Sequence, residues 1–260
     1  MHMTIRRLFK TALWIVAALV LLPVLGFAAL FATREPPDGP RVPAGTGITG
    51  VEAGGAYAWI VRTATGVVLV DAGLDAEGKA ILAELSAQRL GPRDVRAVLL
   101  THGHPDHYAA AHRFAAATVV VGADDVAMVR GDTTHYAPFG RLMGSLLPLP
   151  PGPRALTPVR GGESLVFDGT TFTAIALPGH TPGSTAWLAR RALFTGDSLM
   201  RKGDGVTTVS WIFSEDAPRN RAALRGLEGL DFDSVADGHA GLVKDAKAKL
   251  RRYLATLETH

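Results

Sequence analysis

Read for the spacing of apolar and polar positions, the chain divides into three stretches. Residues 11–32 (TALWIVAALVLLPVLGFAALFA) carry no charge and have about the ~20-residue length with which a helix crosses a bilayer while satisfying its own backbone. Residues 34–47 (REPPDGPRVPAGTG) are rich in proline and glycine and are expected to form a linker. Beyond them, short apolar runs bounded by turn residues predict strands over 56–62, 66–71, 95–102 and 118–122, with helices expected over 76–88, 108–114 and from Asp124 onward. The second half repeats this style, with strands expected over 163–169, 170–179, 184–190, 192–197 and 233–239 and helices near 217–227 and 242–257. No internal repeat of fixed period is visible. Strands flanked by helices in both halves predict an α/β fold in which two sheets pack together with helices outside.

Charge sharpens the division. The pI is 9.4 and the net charge +3, yet Arg6, Arg7, Lys10 and Arg34 against Glu35 account for all of that excess. The remainder is neutral, which removes nucleic acid as an expected partner. Three positive charges ahead of the apolar run keep the N-terminus in the cytoplasm and put everything after residue 33 on the periplasmic or extracellular side. A retained anchor is favoured over a cleaved signal peptide, whose apolar core is shorter and whose small-residue site is weak here at Gly26 and Ala28. Cleavage would give a secreted protein. The expected organisation is an anchor or signal segment with the start of the linker over 1–36 and a catalytic domain over 37–260. The absence of cysteine excludes disulfides, thiolate ligands and a cysteine nucleophile.

The candidate chemistry sits where apolar strands end. The stretch THGHPDH (101–107) supplies His102, His104, Asp106 and His107 within six residues; the period-2 spacing of the first two aims both side chains to one side of an extended backbone. Three further strand ends carry a ligand type beside a glycine: His180 in LPGHTPGS, Asp197 in LFTGDS and His239 in VADGHAG. Five of the nine histidines lie in these motifs, whereas His2, His112, His135 and His260 lack such a context. Imidazole and carboxylate together suit zinc, and also iron or manganese.

Taken together, LVDAG with Asp71, THGHPDH, His180, Asp197 and His239 place in order all five motifs of the metallo-β-lactamase superfamily, which this chain resembles over most of residues 50–240. That resemblance implies a four-layer αββα sandwich of two mixed β-sheets with helices on the outer faces, here preceded by one transmembrane helix. It implies one metal ion on His102, His104 and His180, a second on Asp106, His107 and His239, and Asp197 bridging them. Asp71 would support the ligands rather than bind metal. A water shared by two divalent ions, most simply zinc, would attack a carbonyl carbon, with Asp106 and Asp197 as the catalytic carboxylates. Aspartate at 197, rather than cysteine, points to the branch with glyoxalase II and the lactonases. About twenty residues follow His239, fewer than the helical domain with which glyoxalase II binds its glutathione thioester.

The expected function is thus hydrolysis of an ester, thioester or lactone bond in a small molecule. β-Lactam hydrolysis, a mononuclear iron enzyme similar to the persulfide dioxygenases, and a non-catalytic membrane-tethered metal-binding module are the alternatives. Two segments bear on the substrate. Residues 135–159, with Tyr136 and Phe139, read either as a lid over the metals or lipid-facing patch, or as an ordinary helix and loop on the sandwich. Arg201 and Lys202, just after Asp197, could attract an anionic substrate group.

Overall fold

The computed structural model describes residues 35–45, 47–146 and 148–258, together with Lys10, Trp14 and Leu21; the side chains of Phe139 and Met143 fall outside the description. The chain separates into two compact units, Met1–Pro36 and Pro37–His260. Apart from Trp14 and Leu21, the expected membrane helix at 11–32 lies outside the described residues, among which no helix is long and apolar enough to cross a membrane.

Fifteen strands are described in the second unit. Seven form one sheet in simple sequence order: β1 (Arg41–Pro43), β2 (Ile48–Glu52), β3 (Tyr57–Arg62), β4 (Val67–Val70), β5 (Val95–Leu99), β6 (Thr118–Gly122) and β7 (Thr157–Val159). The first four pair antiparallel, and β4 through β7 pair parallel. The other large sheet uses β8 (Ser164–Phe167), β9 (Thr170–Ala176), β10 (Thr185–Ala189), β11 (Ala192–Gly196), β14 (Ser234–Asp237) and β15 (Leu242–Val243), with β11 and β14 its one parallel pair. A hairpin of β12 (Met200–Lys202) and β13 (Gly205–Thr207) stands apart.

Alternation along the strands builds three apolar layers. In β3, Tyr57, Trp59 and Val61 face the second sheet, where Phe172, Trp187 and Phe194 meet them. The alternate residues Ala58 and Ile60 face outward with Leu69 and Val98, under Ile81 and Leu85 of helix α1 (Lys79–Ala87). On the far side, Ala186, Leu193 and Val235 are covered by Leu250 and Leu254 of the last helix, Ala246–Thr256. The expected sandwich of two mixed sheets with helices outside is present. Its buried indoles also bind the sheets at their polar edge, Trp59 Nε1 donating to the Asp237 carbonyl at 3.0 Å and Trp187 Nε1 to that of Leu100 at 3.1 Å.

Several boundaries differ from the sequence pattern. The expected linker is partly sheet, because Arg41–Pro43 pairs with β2, buries Val42 and ties Arg41 to Glu84 at 2.8 Å. Proline is compatible with such an edge strand. The final helix begins at Ala246, since Leu242 and Val243 pair with β14. Near residue 108 the helix is shorter and earlier, α2 (Pro105–Tyr108), followed by a 3-10 turn at Ala111–Arg113; the helix expected from Asp124 reduces to α3 (Val126–Val129) after its own 3-10 turn. The helix expected at 217–227 is α-helical over Ala217–Ala223 and 3-10 over Leu224–Leu227.

A close approach fixes where the sheets meet. A side chain on Gly122, at the end of β6, would run into the carbonyl oxygen of Gly183. Gly122→Ala should therefore cost ~1–3 kcal/mol through overpacking, read as a lower midpoint in thermal or urea unfolding; an unchanged midpoint would refute the contact.

Candidate metal centre

Every strand that carries a chemical side chain ends at the same edge of the sandwich. β4 leads into Asp71, β5 into residues 101–107, β11 into Asp197 and β14 into His239, while the β9–β10 loop carries His180. The loops are bonded across: Thr185 N donates to the Thr101 carbonyl at 2.8 Å, and Gly238 N to that of Gly196 at 3.0 Å.

Seven side chains converge there in overlapping groups of three. His180 Nε2 lies 3.0 Å from His104 Nδ1 and 3.1 Å from His102 Nε2. Asp106 Oδ2 lies 3.8 Å from His107 Nε2 and 3.6 Å from His239 Nε2. Asp197 stands between the groups, with Oδ2 at 3.2 Å from His239 Nε2 and 3.8 Å from His180 Nε2, and Oδ1 at 3.4 Å from His107 Nε2. His102, His107, His180 and Asp197 are buried, while Asp106, with a third of its side chain exposed, opens to solvent.

This donor set fits divalent cations. Three imidazole nitrogens 3.0–3.1 Å apart cannot all share protons, but nitrogens ~2.0–2.1 Å from one tetrahedral ion would be spaced by roughly 3.3 Å. His107 Nε2 and Asp197 Oδ1 are buried without a hydrogen-bond partner, a cost that a cation would remove.

Three buried carboxylates hold the converging loops. Asp71, in a left-handed conformation at φ 60°, accepts from Thr101 N and Thr101 Oγ1, both at 2.7 Å, and stands 2.8 Å from His107 Nδ1. Thr101 Oγ1 in turn lies 3.1 Å from His102 Nδ1. The outer nitrogens of both rings are thereby occupied, and each ring turns its Nε2 inward. The Gly55 carbonyl does the same for His239, 2.6 Å from its Nδ1. Asp125 accepts from Gly103 N (2.8 Å), Gly183 N (2.7 Å) and Thr181 Oγ1 (2.6 Å), joining the His104 loop to the His180 loop. Asp237 accepts from the amides of Arg201, His239, Ala240 and Gly241 at 2.6–3.0 Å, shaping the His239 loop. Sequence reasoning singled out Asp71 but missed Asp125 and Asp237. The available signal was weak, an aspartate at or just after the end of an apolar strand, in VVVGADD and VADGH.

The electrostatics divide the site in two. Burial, reinforced by neighbouring imidazoles, holds His102 well below the usual imidazole range and His180 down to about 3; burial also lowers His104 despite Asp106 and Asp197. Around Asp197 the balance reverses. Burial opposes charge on His107, but Asp71, Asp106 and Asp197 outweigh it and raise that imidazole well above normal. Burial likewise opposes charge on His239, which Asp197 and Asp106 nevertheless raise to about 9. Asp197, despite its burial, is driven well below the carboxylate range by His239 and His107.

The weaker substrate assignments fare differently. Tyr136 is buried with its ring edge-on to His104, centroids 4.9 Å apart. The side chain of Phe139 lies outside the described residues. The Arg201 guanidinium is engaged by Asp38 at 2.5 Å and by the Ala240 carbonyl at 3.1 Å, so it braces the His239 loop instead of offering its charge to an anion. Lys202 is exposed on the β12–β13 hairpin.

Comparison with known proteins agrees with this geometry. The family model of the metallo-beta-lactamase superfamily matches residues 51–255, and the chain belongs to that superfamily. It is 35% identical over 193 residues to human metallo-beta-lactamase domain-containing protein 1, a match covering 72% of this chain and 63% of the relative. It is also 29% identical over 179 residues to the hydroxyacylglutathione hydrolase of Aeromonas hydrophila, covering 69% of this chain and 58% of that enzyme. The chain thus spans less than two thirds of the length of these curated relatives. Among solved structures, the Rm3 metallo-beta-lactamase superposes with a TM-score of 0.66 at 21% identity, over 86% of this chain and 92% of that one. A metallo-beta-lactamase family protein from Thermus thermophilus does so with 0.64 at 23% identity, over 85% and 78%. These two likenesses concern the fold.

Two measurements test the site. Asp125→Ala strands two amides and a hydroxyl, and should cost about 1–3 kcal/mol in urea unfolding and weaken metal binding roughly 10–100-fold; a variant binding zinc as tightly as the parent would exclude the clamp. Separately, His102 and His180 are neutral at pH 7, whereas His107 and His239, with raised values, hold protons that a cation must displace. Binding at the Asp197–His239 side should release protons and strengthen as pH rises towards 9, while binding at the three-histidine side releases few. Calorimetric zinc titration in buffers of different ionisation enthalpy reads this, and equal proton release by both equivalents would contradict it.

Proposed function

We propose that this chain is a dinuclear, zinc-dependent hydrolase of small-molecule esters, thioesters or lactones. The observation that carries the reading is the buried Asp197 carboxylate, whose two oxygens lie within 3.8 Å of imidazole nitrogens from both ligand groups. Membership of the superfamily supports it, and so does the likeness to a protein named as a hydroxyacylglutathione hydrolase. His102, His104 and His180 would hold one ion, Asp106, His107 and His239 the other, with Asp197 common to both. Divalent cations, when bound, supply Lewis acidity and a water acidic enough to attack near neutral pH.

The chain's own contribution is positioning and charge. Asp71 and Thr101 fix the rings of His102 and His107 so that no reorganisation is needed when substrate arrives. Asp197, held anionic by its imidazole neighbours, balances part of the cationic charge in a buried setting. Asp106 is the more open of the two carboxylates and is suited to pass a proton between the centre and solvent. With residues 11–32 as a membrane anchor, this chemistry would take place on the outer side of the membrane.

Asp197→Ala should lose at least one metal equivalent and most hydrolysis while keeping the fold. Metal analysis, circular dichroism and turnover of thioester, lactone and β-lactam probes check this together. Unchanged turnover in the variant would sink the bridging role. One iron per chain with oxygen uptake in the parent protein would replace hydrolysis by oxygen chemistry on the three histidines.

A further inference from the structure

Large apolar side chains left in water are informative when they gather in one place. Among the described residues of the second unit, five are strongly exposed: Leu74, Leu142, Leu146, Val166 and Trp211. Val166 sits on β8, the edge strand of the second sheet, which pairs with β9 alone. The other four, between 47% and 73% exposed, belong to segments that are bonded to the ligand loops or packed against such segments.

Leu142 and Leu146 lie on helix α4 (Pro138–Leu146). A side chain on Gly140 in its first turn would lie 3.2 Å from the Tyr136 ring, and that ring is the one set edge-on to His104. The helix packs beside the 3-10 turn Trp211–Phe213. Just after that turn, Glu215 N donates to the His180 carbonyl at 3.1 Å and Asp216 N to that of Gly179 at 2.8 Å. His135 and Glu215, 2.6 Å apart, clasp the two segments together. Leu74 belongs to the segment beside His239. Its amide donates to the Ala53 carbonyl at 2.8 Å, two residues from the Gly55 carbonyl that orients His239.

We infer that these side chains form the rim of the substrate site and receive an extended aliphatic acyl chain attached to the scissile carbonyl. The inference rests on the hydrolase reading above and adds the substrate class. An apolar surface beside a reactive polar cluster suits an amphiphile whose carbonyl reaches the cluster while its chain covers the leucines and Trp211. Arg201 is spent on Asp38 and Ala240 and so does not offer itself to an anionic tail.

The test uses the full-length, zinc-loaded chain with p-nitrophenyl butanoate and decanoate below their micellar concentrations. A kcat/KM at least roughly tenfold higher for the decanoyl ester, expressed mainly in KM, is expected from the added methylenes. The decanoyl-to-butanoyl ratio should fall about tenfold in Leu142→Ser/Leu146→Ser and in Trp211→Ser; a ratio is read because it cancels general damage to the protein. Equal KM values for the two esters, or a preference untouched by the substitutions, would overturn the inference and leave the hydrolase reading standing. If neither ester is cleaved, binding of decanoate decides the rim separately. A saturable blue shift of tryptophan emission that Trp211→Ser removes supports it, and no shift overturns it.

Discussion

The metal centre depends on a single kind of interaction: a buried carboxylate that collects donors from a loop and fixes its shape. Seven ligand-type side chains from four loops crowd within a few ångströms, and the imidazoles of His102, His104 and His180 disfavour charge on one another. The loops must be held in place by something other than the ligands. Asp71, Asp125 and Asp237 do this, each buried and each accepting two or more hydrogen bonds. Hydrogen bonds to a charged acceptor are roughly twice as strong as neutral ones, and within a buried site they are little weakened by water. The sandwich beneath supplies parallel strand ends, and the carboxylates convert them into a preformed cluster of ligand-type side chains.

Much of this was legible in the sequence because it is written in local patterns. Short apolar runs bounded by turn residues gave the large strands, and a ligand type after each apolar run gave His102, His104, Asp106, His107, His180, Asp197 and His239, all of which meet in space. What stayed hidden depends on partners distant along the chain. β1 forms because β2 and Glu84 receive it, although its own residues read as linker. Asp125 acts on Gly103 and Gly183, 22 and 58 positions away, and nothing near it announces that. Arg201 looked available for substrate because its partner Asp38 is 163 residues distant.

The two halves of the centre differ in the state in which they await metal. Burial disfavours charge on the three-histidine group. Around Asp197, acids and imidazoles neutralise one another through shared protons, so occupancy there is coupled to proton release.

Asp38 lies at the start of the globular unit. Its amide bonds the Ala240 carbonyl, and its carboxylate takes the Arg201 guanidinium and the Leu242 amide. Gly241 lets the carboxylate in, since a side chain there would meet it at 2.5 Å. The residue next to the ligand His239 is therefore clasped by the first residues of the unit. In mechanical terms the clasp lies in series with whatever pulls on the N-terminal end, so tension along the incoming chain reaches the His239 loop before it reaches the core.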